Sequence, residues 1–255
     1  MLLAIDIGNT NSVYGLWDGA SWIGVWRRAT AAEETEDQLA VWLKGLFDLS
    51  GFPFKVDAVI GASVVPGLNQ ALEMLCTRWL QVEPRFLTNG LEVGMEVCYE
   101  PPTAVGADRI ANALAVLELG PPPAVVVDFG TATTFDTIDA KGRYIGGAIL
   151  PGVLISSQAL ASRTAKLPQI SFEAPERAVG RNTVESLQSG VMLGYAGAID
   201  ALARKIKGEL GGQARVISTG GLGKLFVSLC DEVESHHPNL TLDGLRIAHA
   251  RLSGS

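Results

Sequence analysis

One short passage occurs twice in this chain, and the repetition limits the possible folds more than any other feature. Residues 2–5 form a continuous apolar run that meets Asp6-Ile7-Gly8-Asn9-Thr10-Asn11, and residues 124–127 form another that meets Asp128-Phe129-Gly130-Thr131-Ala132-Thr133. An apolar run closed by Asp-x-Gly and small polar residues reads as a buried strand ending in a tight turn. The sequel repeats as well. Residues 12–17, an Asp18-Gly19 turn and residues 20–26 correspond to residues 134–139, Lys141-Gly142 and residues 144–150, so each half opens with three strands joined by tight turns.

Further along each half come a strand, small residues and a helix. Residues 57–65, Pro66-Gly67 and a helix over 68–80 match residues 215–219, Gly220-Gly221 and a helix over 222–230. A repeat whose openings lie about 120 residues apart is a duplicated domain, since solenoids repeat every ~20 to 50. Gly120-Pro121-Pro122-Pro123 supplies the boundary because proline cannot continue the preceding helix. The expectation is an α/β chain of two lobes, residues 1–119 and 120–255, with a cleft between them.

Composition supports a packed protein. Of 255 residues, 47% are hydrophobic and 18% charged, which is incompatible with disorder over the bulk of the chain. The net charge of −7 and the lack of any Lys/Arg cluster speak against a nucleic-acid partner. Cys76, Cys98 and Cys230 are far apart with no CxxC pair, and His236, His237 and His249 all fall late, so neither a disulfide scaffold nor a zinc site is expected. The start, Met1 to Asp6, lacks a basic leader, and no apolar run approaches the ~18 residues of a membrane span. A reduced, cytoplasmic location with no membrane partner is expected.

The chemistry suggested by the Asp6 loop is phosphate binding. Gly8 admits a close ligand, Asn9, Thr10 and Asn11 offer hydrogen bonds to phosphate oxygens, and Asp6 can hold a hydrated Mg²⁺. A single Asp-x-Gly turn would be unremarked in any hairpin; two at equivalent points of a repeat can grip one triphosphate. The other common phosphate devices, GxxxxGK[ST] and GxGxxG, do not occur. Asp108 and Arg109 open a helix whose apolar face is Ile110, Ala113, Leu114 and Leu117. Helix capping would explain the carboxylate, but a cation in a first turn opposes the helix dipole and calls for an anion or a local ion pair. Thr183 or Asn182 caps another helix, whose small residues from Gly190 onward suit close helix packing, and His236-His237 reads as a solvated loop before Pro238.

These residues together resemble the type III pantothenate kinase family of the acetate and sugar kinase, heat-shock protein and actin superfamily. The match runs through Asp6 to Thr10, Gly106 to Arg109, Val127 to Asp136, Tyr144 to Gly152, Thr164-Ala165-Lys166-Leu167-Pro168, Gly180 to Thr183 and Thr219-Gly220-Gly221. Asp-x-Gly-x-Thr alone marks the superfamily; Gly106-Ala107-Asp108-Arg109 with Tyr99 seven residues before it narrows the match to the family. The resemblance implies duplicated ribonuclease-H-like (actin-like ATPase) domains with an interlobe nucleotide cleft. It implies ATP-dependent phosphorylation of the primary hydroxyl of pantothenate, the first step towards coenzyme A. ATP would lie on Asp6, Ile7, Gly8, Asn9, Thr10, Asn11, Ser12, Val13 and Thr131. Pantothenate would lie on Tyr99, Gly106, Ala107, Asp108, Arg109 and Thr183, with Asp108 as proton acceptor. Mg²⁺ with ATP at Asp6, K⁺ or NH₄⁺ at Asp128, Gly220-Gly221 by the adenosine, and a homodimer complete the expectation. Residues 27–55 and those after Leu245 carry no support for it. A sugar or polyphosphate enzyme on the same fold, and a non-catalytic relative acting in transcription, remain the alternatives at this point.

Overall fold

The structure, a computed structural model, describes residues 1–163 and 167–254. Thr164-Ala165-Lys166 of the family motif therefore lies outside the described residues. The chain forms two compact units, one of Met1–Met95, Glu100–Ala115 and Thr241–Ser255, the other of Glu96–Tyr99 and Val116–Leu240.

The first unit is built on β1 (Leu2–Ile7), β2 (Asn11–Trp17), β3 (Trp22–Ala29), α1 (Glu36–Leu49), β4 (Ala58–Ser63), α2 (Pro66–Met74) and β5 (Pro84–Phe86), with α3 (Ala107–Glu118) beginning in it. Its sheet runs β3-β2-β1-β4-β5, with antiparallel pairs on the β2 side of β1 and parallel pairs on the β4 side. Every residue of β1 except Asp6 is buried, which is why the strand reads as a continuous apolar run rather than an alternation. Leu3, Ile5 and Ile7 join a core with Leu39, Leu43 and Phe47 of α1 and Leu68 and Leu72 of α2.

The second unit repeats the plan with β6 (Ala124–Phe129), β7 (Ala132–Ile138), β8 (Tyr144–Pro151), α4 (Val153–Ser162), α5 (Thr183–Glu209), β9 (Arg215–Thr219), α6 (Gly223–Val227) and β10 (Ser235–His236). The sheet order, β8-β7-β6-β9-β10, and the pattern of parallel and antiparallel pairs are those of the first. Val125, Val127 and Phe129 pack against Met192 and Ile199 of α5 and Phe226 of α6. Asp6 faces Val13 and Ala62 across its strand, and Asp128 faces Thr134 and Thr219 across its own. The two aspartates thus occupy the same place in two copies of one sheet.

The units differ from a single cut at residue 119/120 in where the chain ends. The last helix, α7 (Leu240–Ser253), was expected in the second lobe, but from Thr241 it belongs to the first unit. Trp22 Nε1 donates to Asp243 Oδ1 at 2.7 Å and the Thr241 hydroxyl to Asn112 Oδ1 at 2.8 Å. At Gly244 a Cβ would stand 1.9 Å from the Ala111 carbonyl oxygen, so only glycine lets the helix lie this close to α3. The expected helix over 68–80 is α2 followed by a wider π-type turn, Leu75–Leu80, which ends at Gln81 in the left-handed region with φ 57°.

Candidate active site

The first Asp-x-Gly turn is narrow and braced. Gly8 N–H donates to the Asn11 carbonyl at 3.0 Å, and a Cβ on Gly8 would sit 3.0 Å from that oxygen. Thr30, the residue after β3, holds the turn: its hydroxyl donates to the Gly8 carbonyl at 2.7 Å and lies 2.8 Å from Ser12 Oγ. Ser12 is buried and spent on this contact, whereas Asn9, Thr10 and Asn11 are exposed, so the turn presents its three amide and hydroxyl side chains outward. Asp6 is half-buried at the strand end. Thr30 falls in the stretch the sequence left without a role, and no local motif distinguishes it.

In the same unit, α3 opens with Asp108 and Arg109, both half-buried. Asp108 Oδ1 accepts the N–H of Arg109 at 2.9 Å, and a Cβ on Gly106 would lie 2.4 Å from that oxygen. The carboxylate is therefore seated in space that a side chain at position 106 would take from it. Arg109 N–H and Ile110 N–H also donate to the Gly106 carbonyl, starting the helix directly at the motif.

The second unit carries the other turn. Gly130 N–H donates to the Ala132 carbonyl at 3.1 Å, leaving Gly130 and Thr131 exposed and Asp128 half-buried. Three neighbours fix it. Gly152 N–H donates to the Thr131 carbonyl at 3.1 Å, and a Cβ at Gly152 would fall 2.2 Å from that oxygen. Gly220, with φ +85°, follows β9; a Cβ there would meet Asp128 Oδ1 at 2.5 Å. The Tyr195 hydroxyl of α5 donates to the Pro151 carbonyl at 2.9 Å and lies 2.7 Å from Thr133 Oγ1, and burial raises its phenol above the ordinary value.

Tyr99 belongs to the second unit while Gly106 to Arg109 belong to the first. Tyr99 packs edge to face on Tyr144, centroids 6.5 Å apart. Asn182, rather than Thr183, caps α5: its Oδ1 accepts the Glu185 N–H at 3.0 Å, and Thr183 is exposed with its hydroxyl outside the cap. His236 is not in a solvated loop. It lies half-buried in β10, 3.2 Å from the fully buried Ser218 hydroxyl, and burial lowers its pKa.

The family model described as type III pantothenate kinase matches residues 2–205. The chain belongs to the type III pantothenate kinase family. Curated members of that name include proteins of Anaeromyxobacter sp. (strain K), 46% identical over 98% of this chain and 99% of the relative, and of Thermomicrobium roseum, 47% identical over 100% and 99%. The Myxococcus xanthus member is 43% identical over 98% of both chains. Among solved structures, an activator of 2-hydroxyisocaproyl-CoA dehydratase from Clostridium difficile with bound ADPNP is similar in fold, with a TM-score of 0.55, 13% identity and coverage of 99% and 96%. So is an inorganic polyphosphate/ATP-glucomannokinase from Arthrobacter sp. strain KM, with a TM-score of 0.50, 14% identity and coverage of 99% and 98%. At these identities the likeness is one of fold: duplicated ribonuclease-H-like domains of the actin-like ATPase and sugar kinase type. Against these pantothenate kinase relatives the alignment covers 98% or more of each chain.

Proposed function

We propose that this pantothenate kinase transfers the γ-phosphoryl group of ATP to the primary hydroxyl of pantothenate with Asp108 as the proton acceptor. The observation that carries the assignment is the seating of the Asp108 carboxylate at the first turn of α3, fixed by the Arg109 N–H and by the missing side chain at Gly106. Phosphoryl transfer needs the alcohol placed in line, its proton accepted and the phosphate charge offset. A carboxylate of low basicity suffices for the second task, because the hydroxyl proton leaves late in a loose transition state. Arg109 offers a guanidinium that can grip the pantothenate carboxylate by two parallel hydrogen bonds. Tyr99 and Thr183 are assigned to pantothenate as well in this reading.

The phosphates are assigned to the Asp6–Val13 and Gly130–Thr131 turns, whose exposed Asn9, Thr10, Asn11 and Thr131 supply donors. Asp6 would hold Mg²⁺; one half-buried carboxylate beside exposed polar groups suits an ion that keeps waters and shares phosphate oxygens. Among the described residues no three His, Cys, Asp or Glu converge on a protein-only metal cage, which fits an ion brought with ATP. Asp128 would hold K⁺ or NH₄⁺: its carboxylate, half-buried at the strand end with Oδ1 beside Gly220, offers the hard oxygen donor such a cation takes. When bound, the two cations supply charge that offsets the triphosphate during transfer.

The reading includes a homodimer in the cytoplasm, where ATP is available. Ile145 and Ile149 of β8 and Leu154, Ile155 and Leu160 of α4 are exposed, and a Cβ added at Gly190, Gly194 or Gly197 of the neighbouring α5 would meet nothing within 4 Å. A second copy would cover this apolar surface. Two measurements test these parts. Coupled ADP release with pantothenate should fall to a small residual rate when K⁺ and NH₄⁺ are replaced by Na⁺, and equal rates in both salts would remove the cation from Asp128. Sedimentation should give twice the 26.9 kDa of one chain, and a species of single-chain mass alone would remove the dimer.

A further inference from the structure

The segment that carries Tyr99 is fastened to one residue. Tyr144 N–H donates to the Glu96 carbonyl at 2.9 Å and the Tyr144 carbonyl accepts the Cys98 N–H at 2.7 Å, with Val97 bridged in parallel to Tyr144. The Tyr99 ring then meets the Tyr144 ring at 67°. Tyr144 is fully buried, and its hydroxyl donates to Oδ1 of the equally buried Asp136 in β7 at 3.0 Å. Two residues on, Gly146 has φ +116°, and a Cβ there would lie 3.4 Å from Tyr99 Cδ2.

A buried carboxylate is costly, and an apolar pair could fill the same volume without it. What the polar pair adds is orientation: the hydroxyl-to-carboxylate bond holds the Tyr144 ring at one rotation, and that ring is the wall against which half-buried Tyr99 rests. Backbone pairing, ring contact and the bare Gly146 all converge on the pose of Tyr99.

We propose that Tyr144, held by Asp136, is a positioning residue that sets Tyr99 for contact with pantothenate. This rests on the reading that Tyr99 touches pantothenate, and the test separates the two. KM for each substrate is measured for Tyr144→Phe, Asp136→Asn, Tyr99→Ala and the Tyr99→Ala/Tyr144→Phe double variant. Tyr144→Phe should raise the pantothenate KM about 5- to 20-fold, the weight of one hydrogen bond, with the ATP KM within about twofold of wild type. Asp136→Asn, which keeps an acceptor for the phenol, should raise it less, by about threefold. In the Tyr99→Ala background, Tyr144→Phe should add nothing further, because both act through one contact.

A merely structural role would move both KM values together, and its effect would multiply with that of Tyr99→Ala. If Tyr99→Ala raises the pantothenate KM and Tyr144→Phe does not, or if the two effects multiply, the positioning role is overturned and the Tyr99 contact stands. If Tyr99→Ala leaves the pantothenate KM unchanged, the contact fails and the positioning role with it. Should Tyr144→Phe not fold, Asp136→Asn decides by the same split, and an unchanged pantothenate KM in it overturns the proposal.

Discussion

Asp108 keeps its carboxylate in place because Gly106 leaves room for it, so two substitutions probe one function from opposite sides. Asp108→Asn keeps the hydrogen bond from the Arg109 N–H but removes the proposed base, and kcat should fall roughly 10² to 10⁴-fold with the melting temperature nearly unchanged. Gly106→Ala leaves the base but puts a methyl group 2.4 Å from its Oδ1, and the far end of an aspartate side chain yields before backbone does. The carboxylate should rotate away and kcat should fall by about tenfold or more, since a misplaced base loses most of its effect. Steady-state kinetics of both variants checks this; a Gly106→Ala enzyme with wild-type kcat would mean that the observed seat of Asp108 is irrelevant to turnover. The sequence placed Asp108 and Arg109 in a first helical turn, where the structure has them. It gave no hint that Gly106 serves the carboxylate, because the contact is between neighbours whose relative geometry only the folded loop defines.

At the scale of elements, the two Asp-x-Gly turns proposed to bind phosphate are held by residues outside their motifs. Thr30 binds the first turn and Tyr195 the second, from just past β3 and from α5 respectively. Thr30→Val keeps the shape but removes the donor to the Gly8 carbonyl and the contact with Ser12, leaving buried polar groups unpaired; the ATP KM should rise about 5- to 10-fold while the pantothenate KM moves little. Equal changes in both KM values would mean that Thr30 stabilises the unit without shaping the turn. The repeated strands were legible because burial on both faces turns each central strand into an unbroken apolar run ending at Asp. Helix α1 went unread although Thr35 and Gln38 form a capping box, a signal the sequence does contain. Helix α7 could not be assigned to its unit, since its partners Trp22, Ala111 and Asn112 are more than a hundred residues away in the chain. The cap of α5 was narrowed to Asn182 or Thr183, and the hydrogen bond to the Glu185 N–H settles it on Asn182, which leaves Thr183 free of the cap.

For the whole molecule, acid stability is set in part by two half-buried histidines, one in each unit. Burial lowers the pKa of His236 and of His249, so between those lowered values and the ~6.5 of an unfolded chain the unfolded state binds more protons than the folded one. Their contribution to stability is whole above pH ~6.5 and is lost as pH falls through the folded values. The melting temperature should therefore fall as pH drops below ~6.5, and less steeply in His236→Gln or His249→Gln; a flat profile would contradict the burial of both rings. No helix among the described residues is long and apolar enough to cross a membrane, and the family match runs from residue 2 to residue 205, across most of both units. The account therefore stands on one reaction. Mass spectrometry of the product formed from pantothenate, ATP, Mg²⁺ and K⁺ should show 4′-phosphopantothenate with the wild-type chain and almost none in the same time with Asp108→Asn. Absence of that product from the wild type, or its formation at an undiminished rate by Asp108→Asn, would contradict the account.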